Sequence, residues 1–278
     1  MPSLSAGGLK ATLILEQIII NQRRFVFNKK IVPLEKMIRR GPINDGSLSW
    51  PPLLSGTLVK RYKRFLAEIE LDSGETVVAH CPNSGSMKTC CEPGRPVYVS
   101  HDDSPKRKLH YTWQLIRMED SLVGVNTLVP NRLVWAAIAA GAVSGFPRDY
   151  AISREVTVAP GSRLDLLLSG PAGDRCYIEI KNCTLVENRV ARFPDAVTQR
   201  GAKHLETLQD LVARGHRCVM FYLVQRTDAA KFAVAGDIDP VYETKFFQAV
   251  RSGVEIMAYD VNIDLTGIRL NRKLEIYT

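Results

Sequence analysis

The chain has 278 residues, 45% of them apolar and 24% charged, which argues against disorder and leaves room for one large domain or two small ones. No run of eighteen apolar residues is present, so no membrane-crossing helix is expected. Lys and Arg outnumber Asp and Glu by 37 to 29, and the net charge of +8 favours polyanionic partners, although part of the excess lies in the first fifty residues.

Those first residues read differently from the rest. Leu13-Ile-Leu15 and Ile18-Ile-Ile20 surround Glu16 and Gln17, and Arg23, Arg24, Lys29, Lys30, Arg39 and Arg40 follow. Glu16 interrupts the apolar core that a secretory signal needs. A basic, partly amphipathic helix, a disordered tail and a start codon placed too far upstream all fit, so residues 1–54 are set apart as a poorly ordered basic extension. Within it, Gly41-Pro42 through Trp50-Pro51-Pro52 reads as linker.

Residues 55–128 turn to short strands: Thr57–Val59, Phe65–Leu71, Thr76–Cys81, Pro96–Ser100, Leu109–Met118 and Leu122–Asn126. Turn signals such as Asp72-Ser-Gly74 separate them and no long helix intervenes, which predicts a small antiparallel barrel of the OB type. Lys60, Arg61, Lys63 and Arg64 flank Tyr62 and Phe65, and Lys106, Arg107 and Lys108 precede His110, Tyr111 and Trp113. Cations interleaved with aromatic rings bind phosphates and stack bases. The plainer alternative is that the rings are core and the cations merely solvated.

Asn83-Ser-Gly85-Ser-Met87-Lys88 lacks the GxxxxGK[ST] spacing of a P-loop, so no nucleotide cofactor is expected, and no GxSxG elbow is present. Six cysteines, at 81, 90, 91, 176, 183 and 218, form no CxxC pair and no dense disulfide framework, which fits a reduced, cytoplasmic chain. His80-Cys81 with Cys90-Cys91 makes a poor zinc site, because vicinal strand residues point to opposite faces.

After Pro130 the period changes. Leu133, Val134, Ala137 and Ile138 suit a helix ending near Gly141, and Val156 and Val158 suit a strand. Next come Arg163 to Ser169 and Cys176 to Cys183, joined by a Gly170-Pro-Ala-Gly-Asp174 turn short enough for a hairpin. With a period of two, Leu164, Leu166 and Leu168 share one face of the first strand and Ile178 and Ile180 one face of the second. Asp165, Glu179 and Lys181 then project from the opposite faces and can converge. Two adjacent carboxylates favour a hard divalent cation, Mg²⁺ or Mn²⁺ rather than Zn²⁺. An ammonium beside that ion suits phosphoryl chemistry. The alternative is a solvated strand face with cross-strand salt bridges.

A helix is predicted over Ala196–Arg214, with Asp195 as N-cap and Gly215 as stop. Val197, Leu205, Leu208, Leu211 and Val212 fall on one apolar side, Arg200, Lys203 and Thr207 on an adjacent stripe, and His204 at the border. Arg217–Gln225 reads as a strand, Val241–Ser252 as a helix and Val254–Tyr259 as a strand, giving the order αβββαβαβ.

That order, with Asp165 on the second strand and Glu179-x-Lys181 on the third, resembles the PD-(D/E)XK nuclease core. His80-Cys-Pro-Asn-Ser-Gly-Ser-Met87, Lys106 to Trp113, Val125-Asn-Thr-Leu128 and Phe193 to His204 resemble the sugar fermentation stimulation protein A (SfsA) family over about Thr57 to Asp260. The resemblance implies an α+β chain: an N-terminal OB-like β-barrel, residues 55–128, followed by an α/β PD-(D/E)XK nuclease-like domain, residues 129–278. It further implies DNA binding without strong sequence preference. Carried over by motif position, Asp165, Glu179 and Lys181 become the catalytic set, with Asp165 and Glu179 holding Mg²⁺ or Mn²⁺, and Arg200, Lys203 and His204 become phosphate contacts. In the family the first nuclease-like helix often carries a Glu where this chain has Trp135-Ala136-Ala137, and Glu155 is the available substitute. Two functions follow: a metal-dependent phosphodiesterase, or a non-catalytic DNA-binding regulator of sugar metabolism.

Overall fold

The computed structural model describes residues 45–277, together with the strands β1 (Val26–Phe27) and β2 (Lys30–Ile31). The chain divides into two compact units, 1–41 and 42–278. In the first, β1 and β2 pair antiparallel, Val26 opposite Ile31. Apart from these strands, what was expected of residues 1–44 lies outside the described residues.

In the second unit a short strand, β3 (Leu48–Ser49), comes first. The barrel strands follow: β4 (Leu53–Tyr62), β5 (Leu66–Leu71), β6 (Thr76–His80), β7 (Pro96–His101), β8 (Tyr111–Arg117) and β9 (Leu122–Gly124). β4 pairs with β5 over its second half and with β7 over its first, so it is far longer than the predicted Thr57–Val59. The barrel closes where β6 meets β8 in parallel, Ala79 opposite Tyr111. Leu58, Ile69, Val77, Val99, Trp113 and Ile116 fill its interior. Trp113 therefore belongs to the core, its Nε1 donating to Leu115 O, and is not a stacking platform.

The nuclease-like domain is built on a seven-stranded mixed sheet in the order β10 (Ala151–Ala159), β11 (Ser162–Ser169), β12 (Arg175–Cys183), β15 (Arg217–Val224), β17 (Glu255–Ile263), β18 (Gly267–Lys273), β3. β12, β15 and β17 run parallel. Helix α1 (Val129–Ala139) packs on one face, and α2 (Gln199–Ala213) and α3 (Pro240–Ser252) pack on the other. The apolar run of β15 follows from this, since a strand covered on both faces needs no polar side. Val219, Phe221 and Leu223 meet α1's layer, while Met220, Tyr222 and Val224 meet the layer of α2 and α3.

A second sheet, β13 (Leu185–Glu187), β14 (Val190–Phe193), β16 (Lys231–Val234) and β19 (Glu275–Tyr277), has strands of three or four residues, and none of them was anticipated. Two further expectations are corrected. The linker drawn to Pro52 ends earlier: β3 adds to the sheet edge, Leu48 opposite Ile268, and Trp50 is buried with its Nε1 donating to Asp264 O. Burying an indole with its N–H satisfied outweighs the Gly and Pro turn signals around it. Helix α2 begins at Gln199, not Ala196. Its N-cap is Thr198, whose hydroxyl accepts from Gly201 N at 3.1 Å, and Val197 lies before the helix and is exposed.

Candidate metal and nucleic-acid site

The β11–β12 hairpin brings Asp165, Glu179 and Lys181 together. Ladder pairing runs from Ser169 opposite Arg175 to Leu166 opposite Ile178. Beyond that point the Asp165 carboxylate takes the place of a ladder carbonyl: Oδ2 accepts from Ile180 N at 2.7 Å, and Oδ1 accepts from Asn131 Nδ2 of α1 at 2.6 Å. Asn131 was not singled out in the sequence. Its position in the Asn-Arg-Leu segment at the start of α1 was the available signal.

Glu179 is 3% exposed and faces the α2 side. Its Oε1 accepts from Lys181 Nζ at 2.6 Å and from His204 Nδ1, while its buried Oε2 has no hydrogen-bond partner among the described residues. Lys181 Nζ also lies 3.0 Å from His204 Nδ1, and His204 Nε2 lies 3.4 Å from Arg200 Nε. His204, 5% exposed, is thus a partner of the carboxylate. It also lines a cleft with Arg200 and Lys203, the other two residues expected to contact phosphate.

Two carboxylates in one buried place strain their own ionisation. Burial first, then the neighbouring Glu179 charge, pushes the Asp165 carboxyl up to about 7, against its hydrogen bonds and Lys181. Burial also acts to raise Glu179, but hydrogen bonds from His204 and Lys181 and their charges outweigh it and hold that carboxyl below its ordinary value. The donor set is oxygen-only, one oxygen is orphaned, and one carboxyl resists ionising without added positive charge. Among the described residues no group of three or more His, Cys, Asp or Glu side chains is placed to hold a metal ion, so a hard divalent cation here would have two carboxylates and would complete its shell with water. Glu155 does not join the set: it sits on β10 at φ 55° and pairs with Arg163 Nε at 2.8 Å. Trp135 instead lies under the Arg154 guanidinium, 5.4 Å from its ring centre.

The other cations divide sharply. Arg61 is committed to the loop after β6, donating to Asn83 O, Gly85 O and Ser86 O as well as to Arg64 O, so it is a loop support and not a free phosphate contact. Arg107 is held by Asp102 and Thr112, and Lys60 by Glu68. Lys63 and Arg64 sit at the exposed β4–β5 turn in left-handed conformation, φ 47° and 65°. Lys106 and Lys108 are exposed. Arg200 and Lys203 are exposed on α2 and line a cleft of about 560 Å³ with Gly161, Ser162 and His204.

A barrel closed by the five strands β4 to β8, with β9 added beside β8, followed by a mixed sheet that carries Asp165 and Glu179-x-Lys181, defines the class: an OB-fold joined to a PD-(D/E)XK nuclease-like domain. The chain belongs to the sugar fermentation stimulation protein family. The family's N-terminal OB domain matches residues 59–125 and its RE domain residues 128–267. The sugar fermentation stimulation protein homolog of Geobacter sulfurreducens is 50% identical over 225 residues, covering 81% of this chain and 96% of that protein. The homolog of Geotalea uraniireducens is 49% identical over 225 residues, covering 81% and 97%. The solved structure of Pyrococcus furiosus SfsA in complex with Ca²⁺ aligns with a TM-score of 0.76 at 23% identity, covering 83% of this chain and 98% of that one.

Proposed function

We propose that this protein binds nucleic acid, chiefly DNA, with little sequence preference, and that Asp165, Glu179 and Lys181 form a Mg²⁺- or Mn²⁺-dependent phosphodiesterase site. The observation that carries the reading is the unsatisfied negative charge: Glu179 Oε2 lacks a partner among the described residues, beside an Asp165 carboxyl pushed up to about 7. A bare binding scaffold has no use for that cost. The Ca²⁺ held by the Pyrococcus furiosus relative supports a hard cation in this family.

Bound there, such an ion supplies a Lewis acid and lowers the pKa of water toward neutrality. The chain's own residues do the rest. Asn131 and the Ile180 amide fix the rotamer of Asp165, His204 holds Glu179 Oε1, and Lys181 brings an ammonium whose charge offsets negative charge developing on phosphoryl oxygens. No helix of the described residues is long and apolar enough to cross a membrane. All six cysteines are free thiols, which supports a reducing, cytoplasmic setting.

The test is a nuclease assay with Mg²⁺ or Mn²⁺ on single- and double-stranded DNA and RNA, wild type beside Asp165→Asn. Cleavage by wild type and none by the variant is expected. Binding without cleavage on all four substrates would replace the enzyme with the non-catalytic regulator.

A further inference from the structure

The loop after β6, which is no P-loop, forms one wall of a cleft of about 310 Å³ between the barrel and the nuclease-like domain. Arg64, Asn83 and Ser84 face Asn182, Val197 and Thr198 across it. That volume is at the scale of small-molecule sites, roughly 300–1,000 Å³. That is room for a nucleotide or two.

Three features point to a nucleotide as occupant. Asn83 is 3% exposed; its Oδ1 accepts from Gly85 N at 2.8 Å, which fixes the amide orientation and leaves the buried Nδ2 donor without a partner among the described residues. Thr198 places the N-terminus of the fifteen-residue α2 at the same cleft, where first-turn N–H groups and the helix dipole favour an anion. Val197, 72% exposed, lines the cleft and offers an apolar surface for a base. The Asp195 carboxylate, also in the lining, is turned to Met87 N and the Ser86 hydroxyl, at 3.1 and 3.3 Å, so it braces the loop.

The cleft also lies next to the chemistry. Asn182, which follows Lys181 in β12, lines it, and His204, the partner of Lys181, lines the basic cleft. We infer that the cleft between the barrel and the nuclease-like domain holds unpaired nucleotides of a single strand. This rests on the nucleic-acid-binding reading above and names its substrate class.

The experiment is fluorescence anisotropy at one salt concentration with a chelator present, so that cleavage plays no part. The probes are labelled oligo(dT), oligo(U) and the dT·dA duplex. Val197→Glu on one wall and Ser84→Glu on the other both alter exposed residues and add charge that repels phosphate. Each is expected to weaken single-strand binding about tenfold, the size of one lost stacking or phosphate contact, and to leave duplex binding within about twofold. The tighter of oligo(dT) and oligo(U) identifies the sugar. Equal loss for single strand and duplex, no loss for either, or duplex binding alone by wild type overturns the inference while nucleic-acid binding stands. Wild type that binds none of the three probes overturns both.

Discussion

Asp165 has two hydrogen-bond donors and still sits up to about 7, because burial and Glu179 outweigh them. A carboxyl raised above its unfolded value binds its proton more tightly when folded. Its stabilising contribution is therefore complete below about 4 and is lost as pH rises through about 7. The metal-free protein should melt progressively lower across that window. Asp165→Asn, which keeps both contacts if the Asn131 amide turns over, should flatten the dependence; an unchanged slope in the variant would exclude Asp165 as its source. For the same reason Mn²⁺ must displace a proton, so calorimetric affinity should rise with pH and level off above about 7, and be lost in Asp165→Asn. Lys181 separates enzyme from binder. Lys181→Met, which keeps the aliphatic stem, should abolish cleavage while DNA affinity falls by less than about tenfold, with melting temperature measured alongside. The Asp165, Glu179 and Lys181 cluster was legible because strand period and a short turn put those residues on facing positions. Asn131 was not legible, since its contact exists only once α1 docks on the sheet. His204 was located at a helix border, but only the packed structure shows it turned inward to Glu179.

At the level of elements, regular periods were read well and ends were not. β15, with its apolar run, and α3, bounded by Asp239 as N-cap and Gly253 at φ 100°, lie within a residue of their expected limits. Helix α2 starts three residues late because Asp195 has another use, bracing the loop after β6, and Thr198 caps the helix. No local signal distinguishes a capping Asp from one that reaches a different domain. Thr198→Ala should cost about 1 kcal/mol, and Thr198→Ser, which keeps the hydroxyl, should cost much less. Denaturant titration reads both, and equal losses would mean that the methyl group and not the cap matters. The β13, β14, β16 and β19 sheet was invisible for a related reason. Its three- and four-residue strands are too short to show a period, and two of its three pairings are parallel, joining segments far apart in sequence.

For the whole molecule the net charge is a poor guide to where nucleic acid binds. Eight Lys and Arg against two Asp and Glu fall in residues 1–44, so six of the eight net charges belong to that segment. The rest of the chain is close to neutral, and many of its cations are already paired: Arg192 with Glu187 and Asp237, Arg217 with Glu255, Arg226 with Asp228, Arg272 with Asp260. Attraction to phosphate must then come from local groups such as Lys63 and Arg64 at the β4–β5 turn, together with the basic segment. Backbone-dominated binding gives a straight, falling plot of log K against log salt, with about 0.9 of slope for each phosphate neutralised on duplex DNA. Arg61 has to be left in place, because removing it would release the loop it holds and confuse lost charge with lost structure. Replacing Lys63 and Arg64 by Asn suits their left-handed backbone and removes both charges. The double variant should bind duplex DNA more weakly and reduce the slope by up to about two. A slope that does not change would assign the phosphate contacts to cations elsewhere, and a flat plot for wild type would refute backbone-dominated binding altogether.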